Sequence, residues 1–144
     1  MIALACDHGA LALKERIKAH LLAGCHQVED FGTHTDERCD YPDFAAAAAN
    51  AVAEGRCARA IVLCTTGVGV SIAANKVRGI RCALCTDSVT AELTRRHNDT
   101  NALALGAGIT GEVAALAIVD VWLNTAHEGG RHQRRVDKIM ALET

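Results

Sequence analysis

The hydrophobic positions of this chain fall into short apolar blocks separated by longer stretches of helical spacing. Ile2–Cys6, Gln27–Phe31, Ala60–Leu63, Ile80–Cys85 and Ala102–Leu105 have the length and composition of buried strands. After the first, Leu13, Ile17 and Leu21 share one face while Lys14, Glu15 and Lys18 take others, which predicts a helix closed by Gly24 as a left-handed cap. Pro42 suits the first turn of a second helix, running through Ala45–Ala49 to Gly55. Val70–Lys76 is a third, in a stretch ended by Gly79. Thr86-Asp87-Ser88 caps a fourth that reaches about His97. Thr110 caps a fifth to Ala126, whose apolar face Glu112 and Asp120 interrupt. A last helix over about 131–143 carries Ile139 and Leu142.

Strand and helix thus alternate through five rounds. Such alternation predicts an α/β fold: one Rossmann-like domain over 1–144, a three-layer α/β/α sandwich with a five-stranded parallel sheet. Right-handed crossovers limit the strand order without fixing it.

Composition narrows this picture. Half of the residues are hydrophobic but only 3% are aromatic, so the core is built from Ala, Val, Ile and Leu, which suits thin helices on a parallel sheet. The formal charge of −2 points to no polyanion partner. No basic stretch is interleaved with aromatics, so nucleic acid is not expected. No apolar run approaches the ~20 residues of a membrane helix. The start, MIALACDHG, enters a strand directly rather than reading as a signal peptide, and a cytoplasmic protein is expected. Seven scattered cysteines form no framework, and most read as small buried hydrophobes in a reducing compartment. Cys82 and Cys85 match C-x-x-C, but residues three apart on a strand point to opposite faces.

Ala60–Lys76 carries the chemistry. A strand ends on Cys64, a small-residue turn follows (Thr65, Thr66, Gly67, Val68, Gly69), and a helix opens with Val70 and Ser71. Strand, glycine turn and helix make an anion cradle of free N–H groups. A thiol beside such a cradle is a candidate thiolate; the structural alternative is a buried cysteine in a tight turn. Asp7 and His8 end the first strand, where α/β sheets place ligands, although Asp7 also suits a plain helix cap. Tyr41, the only tyrosine, follows the polar loop Gly32–Asp40. Arg131 and Arg135 are i and i+4, so one helix face offers two guanidinium groups to a phosphate, or to solvent. His97 continues the Val89–Leu93 row, which makes a packed core histidine the default. If His97 is functional, its helix ends about 15 Å below the carboxyl edge of the sheet (roughly ten residues at 1.5 Å each). It could then reach a Cys64 only in a partner subunit.

Asp7-His8-Gly9, Gly32-Thr33, Asp40-Tyr41-Pro42, Cys64 to Gly69 with Ile72–Lys76, Arg96–Asn101 and Gly129–Gln133 with Arg135 together resemble the ribose-5-phosphate isomerase B family. That group also contains allose-6-phosphate and galactose-6-phosphate isomerases, and the match runs through essentially the whole chain. The resemblance implies an aldose–ketose isomerase working through an enediolate. It implies Cys64 as the base at C2 and Thr66 as the group that moves the oxygen-bound proton. The amides of Thr65 to Ser71 would hold the enediolate, and His97 with Asp7 would open the sugar ring. Asn98 and Tyr41 would bind hydroxyls, and His8, Arg131 and Arg135 the phosphate. It also implies a homodimer, alone or paired into a tetramer, with sites shared between subunits.

The reaction needs one proton moved and one oxyanion stabilised, which a positioned base and a cradle supply. No spacing of carboxylate or histidine ligands suggests a metal-assisted hydride shift, so neither metal nor cofactor is expected. Two positions depart from the family pattern: Thr65 replaces its usual glycine and Gly108 its usual arginine. Both bear on which sugar phosphate is used more than on the reaction. The readings from other classes are a non-catalytic phosphosugar-binding module and a thiol hydrolase, the latter requiring a histidine relay at Cys64.

Overall fold

Large and small side chains alternate along the central strands, and the alternation sets the two faces of the sheet. The structure is a computed structural model and describes residues 1–144. β1 (Ile2–Cys6), β2 (Val28–Asp30), β3 (Arg59–Cys64), β4 (Cys82–Leu84) and β5 (Ala102–Gly106) form one parallel sheet in the order β2-β1-β3-β5-β4. Register places Leu4, Ile61 and Leu103 side by side on one face, and Ala3, Ala60 and Ala102 side by side on the other.

The large face packs against α1 (Leu11–Ala23), α4 (Ser88–Asn98) and α5 (Glu112–Asn124) through Leu13, Ile17, Ala91, Ile118 and Trp122. The small face receives α2 (Tyr41–Ala53) and α3 (Val68–Asn75). There Ala45, Ala48, Ala49 and Ala51 of α2 meet Ala3, Ala5, Ala60 and Ala102. Alanine against alanine brings helix and sheet close, which accounts for a core almost without aromatics. A final helix, α6 (Arg131–Met140), packs on α4.

This is the expected three-layer α/β/α sandwich. The chain moves outward from β1 to β2 and then jumps back across β1 to β3. The carboxyl ends of β1 and β3 therefore flank a topological switch point, the ordinary ligand position in open parallel sheets. Asp7 and Cys64 stand there.

Four local expectations are corrected. Gly24 is not left-handed (φ −82°); the residue with positive φ is Cys25 (φ 64°), one place later. Thr110 is buried and does not cap α5; Gly111 holds that position, with no side-chain bond. Glu112 and Asp120 do not interrupt an apolar face, because they bond Arg16 (2.8 Å) and His20 (2.7 Å) of α1 at its solvent edge. The row Val89–Leu93–His97 is not the packed face of α4. Val89 and Leu93 are exposed, and Ala91, Thr94 and Arg95 point inward instead. Arg95 reverses the pattern because its buried guanidinium donates to Asp99 Oδ1 (2.8 Å) and the Thr100 carbonyl (2.6 Å), which lets a charge sit where an apolar residue is expected.

Candidate active site

β3 ends on Cys64, and the chain must clear the neighbouring β5 before it can turn. A Cβ on Gly106 of β5 would lie 2.4 Å from the Thr66 backbone, so the turn presses directly onto the end of that strand. Gly67 supplies the left-handed bend (φ +78°) that starts α3. The bend aims the N–H of Gly67 at Cys64 Sγ, to which it donates at 3.1 Å. Cys64 is only 5% exposed, yet it reaches the wall of an open cleft of ≈ 420 Å³. Asp7, Tyr41, Thr65, Thr66, Val68, Gly69 and Ile72 form the rest of that wall.

The first amides of α3 are partly committed. The Val68 amide donates to Thr66 Oγ1 (3.3 Å) and the Ser71 amide to the Gly67 carbonyl (3.2 Å). Those of Gly69 and Val70 have no acceptor within the protein, as the start of a helix leaves them, and neither do those of Thr65 and Thr66 in the turn before it. The Ser71 hydroxyl turns away and donates to the Val68 carbonyl (2.7 Å).

Asp7 is nearly buried, and its Oδ1 accepts from the Gly9 amide (3.0 Å). It therefore caps the 3₁₀ turn His8–Ala10 and lines the cleft at once. His8 Nδ1 accepts from the Cys39 amide (3.2 Å), tying the loop 32–40 to the same edge. Tyr41 opens α2 with its ring laid over Gly69, where a Cβ would come within 2.5 Å of the ring atoms. Thr65 fills the far wall. A Cβ on Gly9 would meet its Oγ1 at 2.4 Å, and one on Gly108 its Cγ2 at 3.1 Å.

The remaining candidates lie elsewhere. His97 and Asn98 end α4, and Arg131 and Arg135 stand exposed on α6. Asn98 lines a separate groove at the β4 edge, with Arg81 and Met140. None of the four lines the Cys64 cleft. His97 is half-buried, but in a stack rather than a core: its ring lies 4.2 Å from that of His132, nearly parallel at 10°. The candidates thus divide into a carboxyl-edge group and an α4–α6 group. Sequence reasoning assigned nothing to Glu128 and His132, which stand beside His97. The Glu128–His132 spacing of four was a legible signal; the approach of His97 was not.

Three other thiols lie in the core or beside it: Cys6 and Cys85 are buried and Cys82 is half-buried. Burial pushes Cys6 and Cys82 up to about 12 and Cys85 up to about 11, so they stay protonated at neutral pH. Cys82 and Cys85 do face opposite sides of the sheet, one in each half of the core.

The thiol and the four uncommitted amides stand at the switch point of a Rossmann-like sheet, the ordinary ligand position of that architecture. Residues 2–139 match the Ribose/Galactose Isomerase family, and the chain belongs to it. The chain is 50% identical to ribose-5-phosphate isomerase B of Escherichia coli, over 99% of its own length and 95% of that protein's. Among solved structures, ribose-5-phosphate isomerase B of Clostridium thermocellum superposes with a TM-score of 0.98 at 51% identity, covering 99% of this chain and 96% of that one. The Mycoplasma genitalium enzyme with bound ribulose-5-phosphate superposes at 0.95 with 42% identity, covering 99% and 95%.

Proposed function

We propose that the chain interconverts ribose 5-phosphate and ribulose 5-phosphate by proton transfer. The observation that carries this reading is the Cys64 sulfur, held by the Gly67 N–H in a cleft whose wall includes Thr65, Thr66 and Gly69, residues with uncommitted amides. Family membership and the ribulose-5-phosphate-bound relative support it.

In this reading the Cys64 thiolate removes the proton from C2 of the open-chain aldose. The electron pair moves into a C1–C2 double bond and the carbonyl oxygen becomes an enediolate oxygen. The amides of Thr65, Thr66, Gly69 and Val70 stabilise that charge without reorganising. The bond from Gly67 to sulfur is stronger when the sulfur is charged. Cys64 returns the proton to C1, while Thr66 passes the hydroxyl proton between O2 and O1. Tyr41 and Asn98 hold hydroxyls, and His8, Arg131 and Arg135 hold the phosphate. His97 opens the ring, with Asp7 beside it.

Two copies are needed for this. His97, Asn98, Arg131 and Arg135 do not line the cleft of their own chain, so a homodimer supplies them from a partner. Val68 and Ile72 at the cleft, with Val89 and Leu93 on α4, are exposed apolar side chains available to such a contact. A thiol hydrolase would instead form a covalent acyl intermediate on Cys64, which mass spectrometry of the protein with substrate would detect.

A second reading keeps the reaction and changes the sugar. Thr65 fills the space between Gly9 and Gly108, which narrows one end of the cleft and favours a shorter substrate. Turnover on four-, five- and six-carbon aldose phosphates, each deuterated at C2, separates these readings. The five-carbon substrate is expected to turn over best and to lose label to solvent. A binding module would leave every label in place. Transfer of all label to C1 would mean a hydride shift.

A further inference from the structure

His97, Glu128 and His132 come from three separate segments: the end of α4, the turn after α5 and the first turn of α6. Their ligand atoms all lie within 4.8 Å of one another. His132 is 6% exposed, and its Nε2 has no hydrogen-bond partner. Glu128 Oε2 stands 3.4 Å from that nitrogen, close enough for ionic attraction but off the line of an N–H bond. A buried imidazole nitrogen without a partner is costly in a folded protein and needs a reason.

We propose that these three side chains form a binding site for a borderline divalent transition ion, Zn²⁺ above all, and that its occupancy withholds His97 from the isomerase site. Two imidazole nitrogens and one carboxylate are a zinc donor set that leaves a fourth position to water. Nitrogen donors select against Mg²⁺ and Ca²⁺. An ion at the centre of a 4.8 Å triangle would be about 2.8 Å from each corner, so each ligand moves in by well under 1 Å to reach the ordinary ~2.0–2.2 Å. The His97–His132 stack must open for this, because the lone pairs of parallel rings do not converge. The surrounding cations oppose the ion: Arg96 lies 3.9 Å from Glu128, and Arg131 and Arg135 share α6 with His132. One negative charge among the three ligands therefore gives reversible rather than permanent binding.

The effect on turnover rests on the proposed role of His97; the binding does not. Calorimetric titration of the intact protein with Zn²⁺ is expected to show one ion per chain. Co²⁺ at the same site is expected to give a visible spectrum without a thiolate-to-cobalt band, which separates it from exposed Cys25 and half-buried Cys39. Glu128→Gln and His132→Gln should each weaken Zn²⁺ at least about tenfold; Glu128 is exposed, so its variant folds even if the other does not. No binding, affinity unchanged in Glu128→Gln, or a thiolate band would overturn the site. Zn²⁺ should also inhibit turnover, with recovery on chelation. Binding at this site without inhibition would keep the site, and would contradict withholding and the assignment of His97 to the reaction.

Discussion

Cys64 is the buried cysteine that both accepts a backbone N–H, from Gly67, and reaches the switch-point cleft. Burial pushes Cys6 up to about 12 and Cys85 up to about 11, so both stay protonated at neutral pH. Mild alkylation of the folded protein at neutral pH is therefore expected to leave buried Cys6 and Cys85 unmodified by peptide mass analysis. Labelling of either of them in folded protein would contradict their burial. Cys64→Ala removes the proposed base and only a small buried volume. Turnover should fall by about a hundred- to ten-thousandfold while the thermal transition stays close to wild type. A fully active variant would remove the mechanism. Thr65 and Gly108 were visible in the sequence as two separate departures from the family pattern. In the structure the Thr65 methyl lies against the Gly108 backbone, so they are one feature, and only the fold could bring them together.

Elements place these residues, and one buried network fixes an element at the site. Lys14 of α1 is fully buried; its ammonium donates to both oxygens of Asp30 (2.8 Å each) and to the Thr33 carbonyl (2.7 Å). It thus clamps β2 and the loop that leads past His8. Lys14→Met is expected to cost about 3–5 kcal/mol, read from denaturant midpoints, because it removes the buried partner of the Asp30 carboxylate and of the Thr33 carbonyl. Burial would raise the Asp30 carboxyl, but bonds from Lys14, the Gly32 amide and Lys18 together hold it below the usual range. A depressed carboxylate stabilises the fold above its unfolded pKa, near 4, and loses that contribution as acid protonates it. Stability should accordingly fall below about pH 4, and Asp30→Asn should flatten that fall. Most elements were legible from apolar period and turn residues. The network was not: Lys14 falls off the apolar face of α1, and period alone cannot show a partner on another strand. The packed face of α4 was misread for the same reason, since Arg95 is buried through its acceptors at Asp99 and Thr100.

At the scale of the molecule, the strand order β2-β1-β3-β5-β4 joins Asp7 and Cys64 at one edge and leaves His97, Asn98, Arg131 and Arg135 apart from it. Sequence spacing already implied that separation for His97, because helix length and strand direction are readable. The strand order itself was not readable, nor was the grouping of His97 with Glu128 and His132, since both depend on contacts distant along the chain. The proposed active site is built from two copies, with Cys64 from one and His97 from the other. Mixing inactive Cys64→Ala with inactive His97→Ala protein tests this most directly. After subunit exchange at equal amounts, half of the dimers are mixed and each keeps one intact site, so about a quarter of wild-type activity should return. No recovery, with exchange demonstrated by native mass spectrometry, would contradict a shared site.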